Sequence, residues 1–359
     1  EALIVEHLTT KAGVFTSSEL SAINDIGLIN LEDTSTLRVN KLIRSVQKAS
    51  ELQRGDRVLG ISRSEEYPSF MLPYRYRTNA ENFVFYQLNI NHDLEQILEI
   101  ADQEEPEIVA NFAAQGEVRN SWRFPDQWYQ TNIVSKVKLY HLLSKKMKFK
   151  KYIRISTPEV FGNVKGYILE NTKTVPSTPY GISQLATDLT LLAYYKFNKF
   201  PVVISRFSNF YGPHQPLYRV IPKTLNSIFA NKKFLLHGGG KSIRSFIFID
   251  DFCEAIYKCM IKGKLGQIYH FSNKEYISIL WLIKKICSLT SKNFSKSVKI
   301  ARDRPSKDYA YKMKPTKAEK ELNWKPKYTI EKGLKITIQW YKANKKKLSD
   351  LKKVYVHKK

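Results

Sequence analysis

The chain has 359 residues, of which 43% are hydrophobic and 26% charged, and this composition excludes an intrinsically disordered protein. No stretch is long and apolar enough to predict a membrane-spanning helix. The formal net charge of +26 could indicate a nucleic-acid partner, but no DNA- or RNA-binding motif accompanies it. We interpret the charge as a solvated basic surface, which would also attract diphosphate ligands.

Strands and helices alternate from residue 57 onward. Short apolar, β-prone runs predict strands at 57–62, 83–90, 107–112, 151–155 and 201–206. Longer amphipathic runs predict helices at 93–102, 125–146, 179–198 and 217–231. This alternation predicts an α/β fold with a doubly wound parallel sheet of the Rossmann type.

The first fifty residues do not follow that pattern. A dinucleotide-binding fold opens with an apolar strand, a glycine-rich turn and a helix whose N-terminus faces the pyrophosphate. A helix is predicted at 40–53, but residues 28–39 contain no glycine. Residues 1–39 are therefore an atypical segment in which neither the first strand nor the turn is recognisable. The strand would have to come from 28–39 or from 2–5, and pyrophosphate binding would be compromised.

Three cysteines, Cys253, Cys259 and Cys287, lack the spacing of metal ligands, and an odd number cannot all pair in disulfides. We interpret them as reduced thiols, which predicts a cytoplasmic protein without a metal site. The chain begins at Glu1 rather than at a methionine, as a fragment of a longer protein would.

Two linked segments carry the strongest chemical signal. ISTPEVFG (155–162) follows a predicted strand, and STPYGISQ (177–184) opens the next helix. A hydroxyl at a strand end and a tyrosine at a helix start suit redox chemistry between an alcohol and a carbonyl. The hydroxyl of Thr157 would bind the sugar oxygen, and Tyr180 would remove or return its proton as hydride passes to a nicotinamide.

These segments, together with NFAAQGEVRNSW (111–122), RFSNFYGPHQ (206–215) and HGGGKSIRSFIFIDD (237–251), resemble the extended short-chain dehydrogenase/reductase family, also described as the NAD-dependent epimerase/dehydratase family. Within it they are similar to nucleotide-sugar 4,6-dehydratases of the dTDP-glucose and GDP-mannose type. The resemblance implies a Rossmann-type NAD(P)-binding domain at 40–215, a mainly substrate-binding lobe at 216–345 and a lysine-rich tail at 346–359. It also implies a homodimer in which helices 125–146 and 179–198 form a four-helix bundle.

The resemblance assigns catalytic roles to Thr157, Tyr180, Glu159 and Gln184. Relatives place Asp-Glu after the threonine as acid and base for removing water across C5–C6, whereas this chain has Pro158 and Glu159. Glu159 could abstract the C5 proton and either double as the acid or leave that role to water. Gln184 replaces the lysine four residues after the tyrosine; it can hydrogen-bond a ribose but brings no charge. Either another cation substitutes, or the enzyme is slow, or the site is degenerate, and restoring lysine at 184 is expected to preserve or raise activity.

Cofactor and substrate contacts are also implied. Cofactor-binding residues are Ser62, Arg63, Asn89, Ala113, Ala114, Gln115, Tyr180 and Gln184; substrate-binding residues are Asn209, Arg244 and Arg304. An acidic residue at the end of the second strand normally holds the ribose of NAD, and here Ser62 and Arg63 stand there. An arginine without that carboxylate favours NADP slightly over NAD.

The leading hypothesis is a nucleotide-sugar 4,6-dehydratase that oxidises C4 transiently and yields a 4-keto-6-deoxy sugar nucleotide. An epimerase of the same family is the first alternative, and Glu159 disfavours it because simple 4-epimerases need no base there. A non-catalytic sugar-nucleotide-binding protein is the second, supported by Gln184 and the missing glycine turn. Deoxysugar or polysaccharide biosynthesis is implied only by the resemblance.

Overall fold

A computed structural model describes residues 2–7, 57–72, 83–146, 149–303 and 308–351, together with residues 353 and 355. The strands of these residues, in chain order, are β1 (Ala2–His7), β2 (Arg57–Ser62), β3 (Phe83–Gln87), β4 (Ile108–Asn111), β5 (Lys151–Ser156), β6 (Val202–Phe207), β7 (Asn209–Tyr211), β8 (Phe234–His237), β9 (Ile243–Phe248), β10 (Ile268–Phe271), β11 (Tyr276–Ser278) and β12 (Val298–Ala301).

The helices are α1 (Leu94–Glu104), α2 (Val118–Ser121), α3 (Pro125–Tyr129), α4 (Lys136–Lys146), α5 (Pro179–Asn198), α6 (Val220–Phe229), α7 (Ile249–Lys262), α8 (Ile279–Leu289), α9 (Phe294–Ser297), α10 (Thr316–Leu322), α11 (Ile330–Ala343) and α12 (Lys345–Leu348). A π-helical segment, Gln130–Ser135, joins α3 to α4, so the helix predicted at 125–146 is built from three pieces. Short 3-10 turns lie at Ser69–Met71, Pro158–Phe161 and Gly238–Gly240.

The main layer is a seven-stranded sheet in the order β10-β6-β5-β4-β1-β2-β3. Its neighbouring strands pair in parallel, with the exception of β1, so the predicted α/β fold with a parallel sheet is confirmed. Two smaller sheets, β11-β9-β7 and β12-β8, lie in the later part of the chain. Strand β10 and helix α7 come from the predicted lobe at 216–345 but pack on the main sheet through β6.

Strand β1 lies inside the sheet, between β4 and β2, and runs opposite to the other strands. It pairs antiparallel with both β2 and β4, and its first residue, Ala2, lies opposite Ser62 while its last, His7, lies opposite Arg57. The chain therefore leaves β1 at the edge opposite the carboxyl ends of the parallel strands. A turn that directly follows β1 cannot hold a pyrophosphate at that carboxyl edge. Residues 28–39 and the helix predicted at 40–53 lie outside the described residues.

Apolar side chains fill both faces of the sheet. On β5, Tyr152 packs with the helices α1, α4 and α5, while its neighbour Ile153 belongs to the larger core shared with α7 and α8. Val202 and Val203 on β6 divide in the same way. Burial on both faces explains why these strands read as continuous apolar runs. Among the described helices, none is both long and apolar enough to cross a membrane.

Candidate functional site

The candidate site lies at the carboxyl edge of the parallel strands, where β2 ends at Ser62, β4 at Asn111 and β5 at Ser156. Ligands of doubly wound folds bind in the crevice at this edge. Thr157 follows β5 directly, and Tyr180 lies in the first turn of α5. The structure therefore brings the two predicted motif segments to the same edge.

A short 3-10 helix at Pro158–Phe161 holds Thr157 and Glu159 together. Thr157 is its N-cap: the hydroxyl donates to the Glu159 carboxylate and accepts the backbone N–H of Glu159 at 3.4 Å. Pro158 is buried at the start of the turn, where a fixed φ and a missing N–H are tolerated. Thr157 is 8% exposed and Glu159 half-buried, so a hydroxyl and a carboxylate share one partly desolvated corner.

Tyr180 is positioned by the start of α5. The Thr178 hydroxyl caps this helix by accepting the Gly181 N–H at 3.0 Å, and the backbone N–H of Tyr180 donates to the Ser121 hydroxyl at 3.2 Å. At Gly181, a β-carbon would come within 2.7 Å of the backbone oxygen of Glu159. The Tyr180 segment and the Glu159 segment are therefore in direct backbone contact, which only glycine at 181 permits without displacement.

Gln184 lies one helical turn after Tyr180 and is 1% exposed. Its amide oxygen accepts a hydrogen bond from the guanidinium of Arg154, a fully buried residue of β5. Arg154, Asp188 and Arg206 form what we call the buried charge cluster. In it Arg154 Nε lies 3.3 Å from Asp188 Oδ1, and Arg206 donates to Asp188 Oδ2 through Nε at 3.2 Å and Nη2 at 3.1 Å. Ser156 also donates to Asp188 Oδ2, at 2.7 Å.

Among the predicted cofactor-binding residues, Arg63 joins the end of β2 to the turn after β4. Its Nη2 donates to Gln115 Oε1 at 2.7 Å. Ser62 is buried, and its hydroxyl oxygen accepts the Ser64 N–H at 3.2 Å. The end of β2 therefore presents an arginine and a hydroxyl, as the sequence indicated. Asn89 is engaged locally: its side-chain oxygen accepts the Asn91 N–H at 3.0 Å, in the turn after β3.

The turn at 113–115 is fixed by two asparagines. Asn111 Oδ1 accepts the Ala113 N–H at 2.8 Å. Asn132 Oδ1 accepts the Gln115 N–H at 2.7 Å, and its Nδ2 donates to the Gln115 carbonyl at 3.0 Å and to the Ser183 hydroxyl at 2.9 Å. Asn132 lies in the π-helical segment, a distortion that is frequent at functional sites. Sequence reasoning missed Asn132, which ties the 113–115 turn, with Ala114 in it, to α5.

Among the predicted substrate-binding residues, Arg244 of β9 contacts the chain segment at residues 308–311. Its guanidinium donates to the backbone oxygens of Asp308 at 2.9 Å and Tyr309 at 3.1 Å, and lies 4.5 Å from the centre of the Tyr311 ring. Burial, and then the charges of Glu159 and Asp308, raise the pKa of Tyr311 well above its ordinary value. This coupling shows that Glu159 faces the Arg244 region.

Asp308 and Asn209 complete this side. The Asp308 carboxylate accepts hydrogen bonds from the hydroxyls of Ser177, at 2.7 Å, and Tyr311. Asn209 is exposed on β7 and pairs with Phe246 on the neighbouring strand β9. Phe246 lies two residues after Arg244 on that strand. Arg304 lies outside the described residues, so its predicted role stays a prediction. Ser177, three residues before Tyr180, therefore links the start of α5 to Asp308, whose backbone oxygen binds Arg244.

The fold and this edge define the chain as a Rossmann-type α/β protein with a threonine, a carboxylate and a tyrosine at the carboxyl ends of its strands. The family model described as GDP-mannose 4,6 dehydratase matches residues 49–337, and the chain belongs to this family. Human dTDP-D-glucose 4,6-dehydratase is 32% identical over 308 residues, which cover 79% of this chain and 86% of the human protein.

Two solved structures extend the comparison. A dTDP-glucose 4,6-dehydratase from Bacillus anthracis, in complex with NAD, is 30% identical with a TM-score of 0.67, over 75% of this chain and 83% of that one. A dTDP-glucose 4,6-dehydratase from Streptomyces venezuelae, with NAD bound, has a TM-score of 0.80 at 22% identity, over 89% of this chain and 98% of that one. The predicted family is confirmed, and the second structure shares the fold.

Proposed function

We propose that the protein is a nucleotide-sugar 4,6-dehydratase, which converts an NDP-hexose into an NDP-4-keto-6-deoxyhexose. The observation that carries the proposal is the pairing of the Thr157 hydroxyl with the Glu159 carboxylate, directly after β5 and against the Tyr180 segment. Oxidation at C4 needs the hydroxyl and the tyrosine, and removal of water needs the carboxylate as well. The dehydratases among the similar proteins support the same reaction.

The residues at the edge fit the ribose and nicotinamide half of an NAD(P) cofactor. The amide nitrogen of Gln184 is buried and has no hydrogen-bond acceptor within the part of the chain that the structure describes, as expected of a donor that awaits a ligand. The turn of Ala113, Ala114 and Gln115 would pass under the ribose, and Asn89 would lie near the adenine. When bound, the cofactor supplies reversible storage of the hydride removed from C4.

We propose a preference for NADP over NAD. Arg63, fixed by Gln115 beside Ser62, supports it, because a guanidinium pairs well with a 2′-phosphate and no carboxylate occupies the end of β2. Replacing Arg63 by alanine is expected to weaken NADP binding about tenfold, the value of one charge-assisted contact, with little effect on NAD. Calorimetric titration of both cofactors measures this, and equal losses for the two would contradict it.

The chain's own groups then divide the proton transfers. Tyr180 takes the proton of the C4 hydroxyl while Thr157 hydrogen-bonds the same oxygen. The ketone at C4 acidifies the proton at C5, and Glu159 accepts it. Pro158 carries no proton, so protonated Glu159 then gives its proton to the C6 hydroxyl, which leaves as water. When hydride is returned at C6, C5 must gain one proton, and the proton that Tyr180 took from the C4 hydroxyl balances it. The half-buried position of Glu159 and its contact with Thr157 suit a carboxyl that must both take and return a proton.

Arg244 and Asn209 would hold the diphosphate of the substrate, with Arg304 as a third contact. The planar guanidinium of Arg244 is oriented by three backbone oxygens, those of Ile243, Asp308 and Tyr309, and by the Tyr311 ring, which limits its mobility. A guanidinium fixed in this way suits two phosphate oxygens better than an ammonium would.

We also propose a homodimer through α3–α4 and α5. Ile182 and Leu189, seven residues apart on α5, are 44% and 55% exposed, and Val134 of the π-helical segment is 41% exposed. A row of apolar side chains on paired helices is typical of a helical interface. Replacing Leu189 by glutamate is expected to yield monomers in analytical ultracentrifugation, and an unchanged mass would contradict this interface. The three buried free cysteines support a reducing, cytoplasmic compartment.

The test of the function is incubation with NAD(P) and a panel of NDP-hexoses, including dTDP-glucose and GDP-mannose. The expected product has lost one water and absorbs in alkali as a 4-keto sugar. Glu159→Gln is expected to lower the rate by about two orders of magnitude or more while cofactor affinity is kept. Glu99→Gln on α1, an exposed site, is the matched control. If the products are epimers that have kept their water, the protein is an epimerase rather than a dehydratase. If no cofactor binds, the remaining function is that of a non-catalytic sugar-nucleotide-binding protein.

A further inference from the structure

We propose that Arg154 is a positioning residue that supplies, through Gln184, the positive charge that a lysine at position 184 would bring to Tyr180 and the cofactor. The inference rests on the proposed function, since it concerns the same tyrosine and cofactor. It identifies the substituting cation that the sequence left open. Arg154 escaped notice because it lies inside an apolar strand rather than in the motif.

The contact geometry fixes the orientation of the Gln184 amide. A guanidinium has only donors, so the amide must present its oxygen to Arg154. The amide nitrogen then points elsewhere as a donor. It finds no acceptor among the described residues although Gln184 is buried. Leaving such a donor unpaired is unfavourable, which indicates that its acceptor belongs to a ligand.

The position of Gln184 says where that acceptor lies. Residues four apart on a helix lie on the same face, so Gln184 and Tyr180 are neighbours on α5. A ribose hydroxyl or the tyrosine oxygen would therefore receive the N–H. The hydrogen bond from Arg154 polarises the amide and strengthens its N–H as a donor. The pair thus reproduces both properties of a lysine, a donor and a nearby positive charge.

Within the buried charge cluster, the charge of Arg154 is paired less closely than that of Arg206. Asp188 accepts two hydrogen bonds from Arg206, whereas Arg154 Nε approaches Asp188 at 3.3 Å without hydrogen-bond geometry. Asp188 therefore faces both guanidiniums but, of the two, is hydrogen-bonded only to Arg206, near which the half-buried Glu170 also lies. The other titratable neighbours of Arg154 are Tyr140 and Tyr152, and burial raises the pKa of both phenols, so they stay neutral.

This arrangement reverses the expectation for lysine at position 184. An ammonium there would lie beside Arg154, and three cations would then share one buried carboxylate. Repulsion between like charges at such short distances is strongly unfavourable in a desolvated site. A lysine at position 184 is therefore expected to support cofactor binding only when Arg154 is replaced by an uncharged residue. Arg154→Met is compatible with folding, because Asp188 keeps Arg206 and Ser156 as partners.

The experiment is a double-variant cycle of Gln184→Lys and Arg154→Met, read first as the Kd of NAD and NADP by calorimetry in the absence of sugar. Each single variant is expected to weaken cofactor binding about tenfold, and the double variant to return to within about threefold of the parent. Gln103→Lys, the same change at an exposed site of α1, controls for added charge. Thermal melts of all variants separate binding from loss of fold.

The pH profile of turnover is the second readout. Loss of the charge in Arg154→Met is expected to move the acid limb upward by about one pH unit, because the tyrosine then ionises less readily. Arg154→Lys keeps the charge and is expected to keep the limb.

The proposal would be overturned if the losses of cofactor affinity in the two single variants simply add in the double variant. It would also be overturned if the parent protein binds neither NAD nor NADP. If the double variant recovers cofactor binding but the parent protein dehydrates no NDP-hexose, the coupling of Arg154 and Gln184 is supported and the proposed function is refuted.

Discussion

Asp188 is the only acidic member of the buried charge cluster, and Asp188→Asn tests whether the cluster is electrostatically coupled. The carboxylate is fully buried and faces Arg154 on one oxygen and Arg206 with Ser156 on the other. The asparagine can place its oxygen toward Arg206 and Ser156, but its NH₂ group then faces Arg154. Two buried guanidiniums then lose the carboxylate that lies between them.

Breaking a buried ion pair by removing one partner costs about 3–5 kcal/mol. For a chain of this length, a loss of about 4 kcal/mol lowers the melting temperature by roughly 5 °C. The additional change Arg154→Met removes one of the two uncompensated charges. We therefore expect the double variant Asp188→Asn/Arg154→Met to recover about half of the lost stability, because the effects of residues in direct contact do not add independently.

Urea unfolding and differential scanning calorimetry of the holo protein measure these changes. Asp102→Asn, an exposed position at the end of α1, is the matched control and is expected to change little. The coupling of the cluster is refuted if the free energy of unfolding of Asp188→Asn lies within about 1 kcal/mol of the parent value. It is also refuted if the double variant is less stable than Asp188→Asn.

Three further predictions concern separate parts of the molecule. Tyr180→Phe is expected to lower kcat by a factor of about 100 to 10,000 with cofactor affinity kept, and an equal loss of affinity would contradict a role in proton transfer. Arg244→Lys is expected to raise the KM for the NDP-sugar about tenfold with kcat nearly unchanged, and steady-state kinetics would show whether kcat falls instead. Burial raises the pKa of Asp251 to about 7. Its folded pKa therefore exceeds the unfolded value, and this contribution to stability is present in acid and lost as pH rises through about 7, by roughly 2–3 kcal/mol between pH 5 and 8. Urea unfolding should show that trend flattened in Asp251→Asn, and an unchanged trend would contradict it.

Local signals predicted two elements of the main layer well, the strand β2 and the helix α5. Helix α5 begins and ends at the predicted residues, because Thr178 and Pro179 mark its start and Lys199, with a φ of 57°, ends it in a left-handed conformation. The strand at 57–62 also has the predicted bounds. Both elements combine strong local propensity with a burial pattern that agrees with it.

Strand direction and buried polar partners could not be read from the sequence. Residues 2–5 were one of two candidates for the first strand, but nothing local specifies that β1 runs antiparallel, since an apolar strand pairs in either direction. Arg154 and Asn132 act through partners far along the chain, Gln184 and Gln115, and only the fold brings these together. A charged residue inside the apolar strand at 151–156 was the one signal that could have drawn attention to Arg154.

The most direct test of the account is to follow the C4 hydrogen of the sugar. A dTDP-hexose and a GDP-hexose, each deuterated at C4, are incubated with the holo protein, and the products are analysed by mass spectrometry and NMR. We expect loss of one water and transfer of the deuterium from C4 to C6 of the same molecule. Deuterium that remains at C4 in a sugar that has kept its water would contradict it.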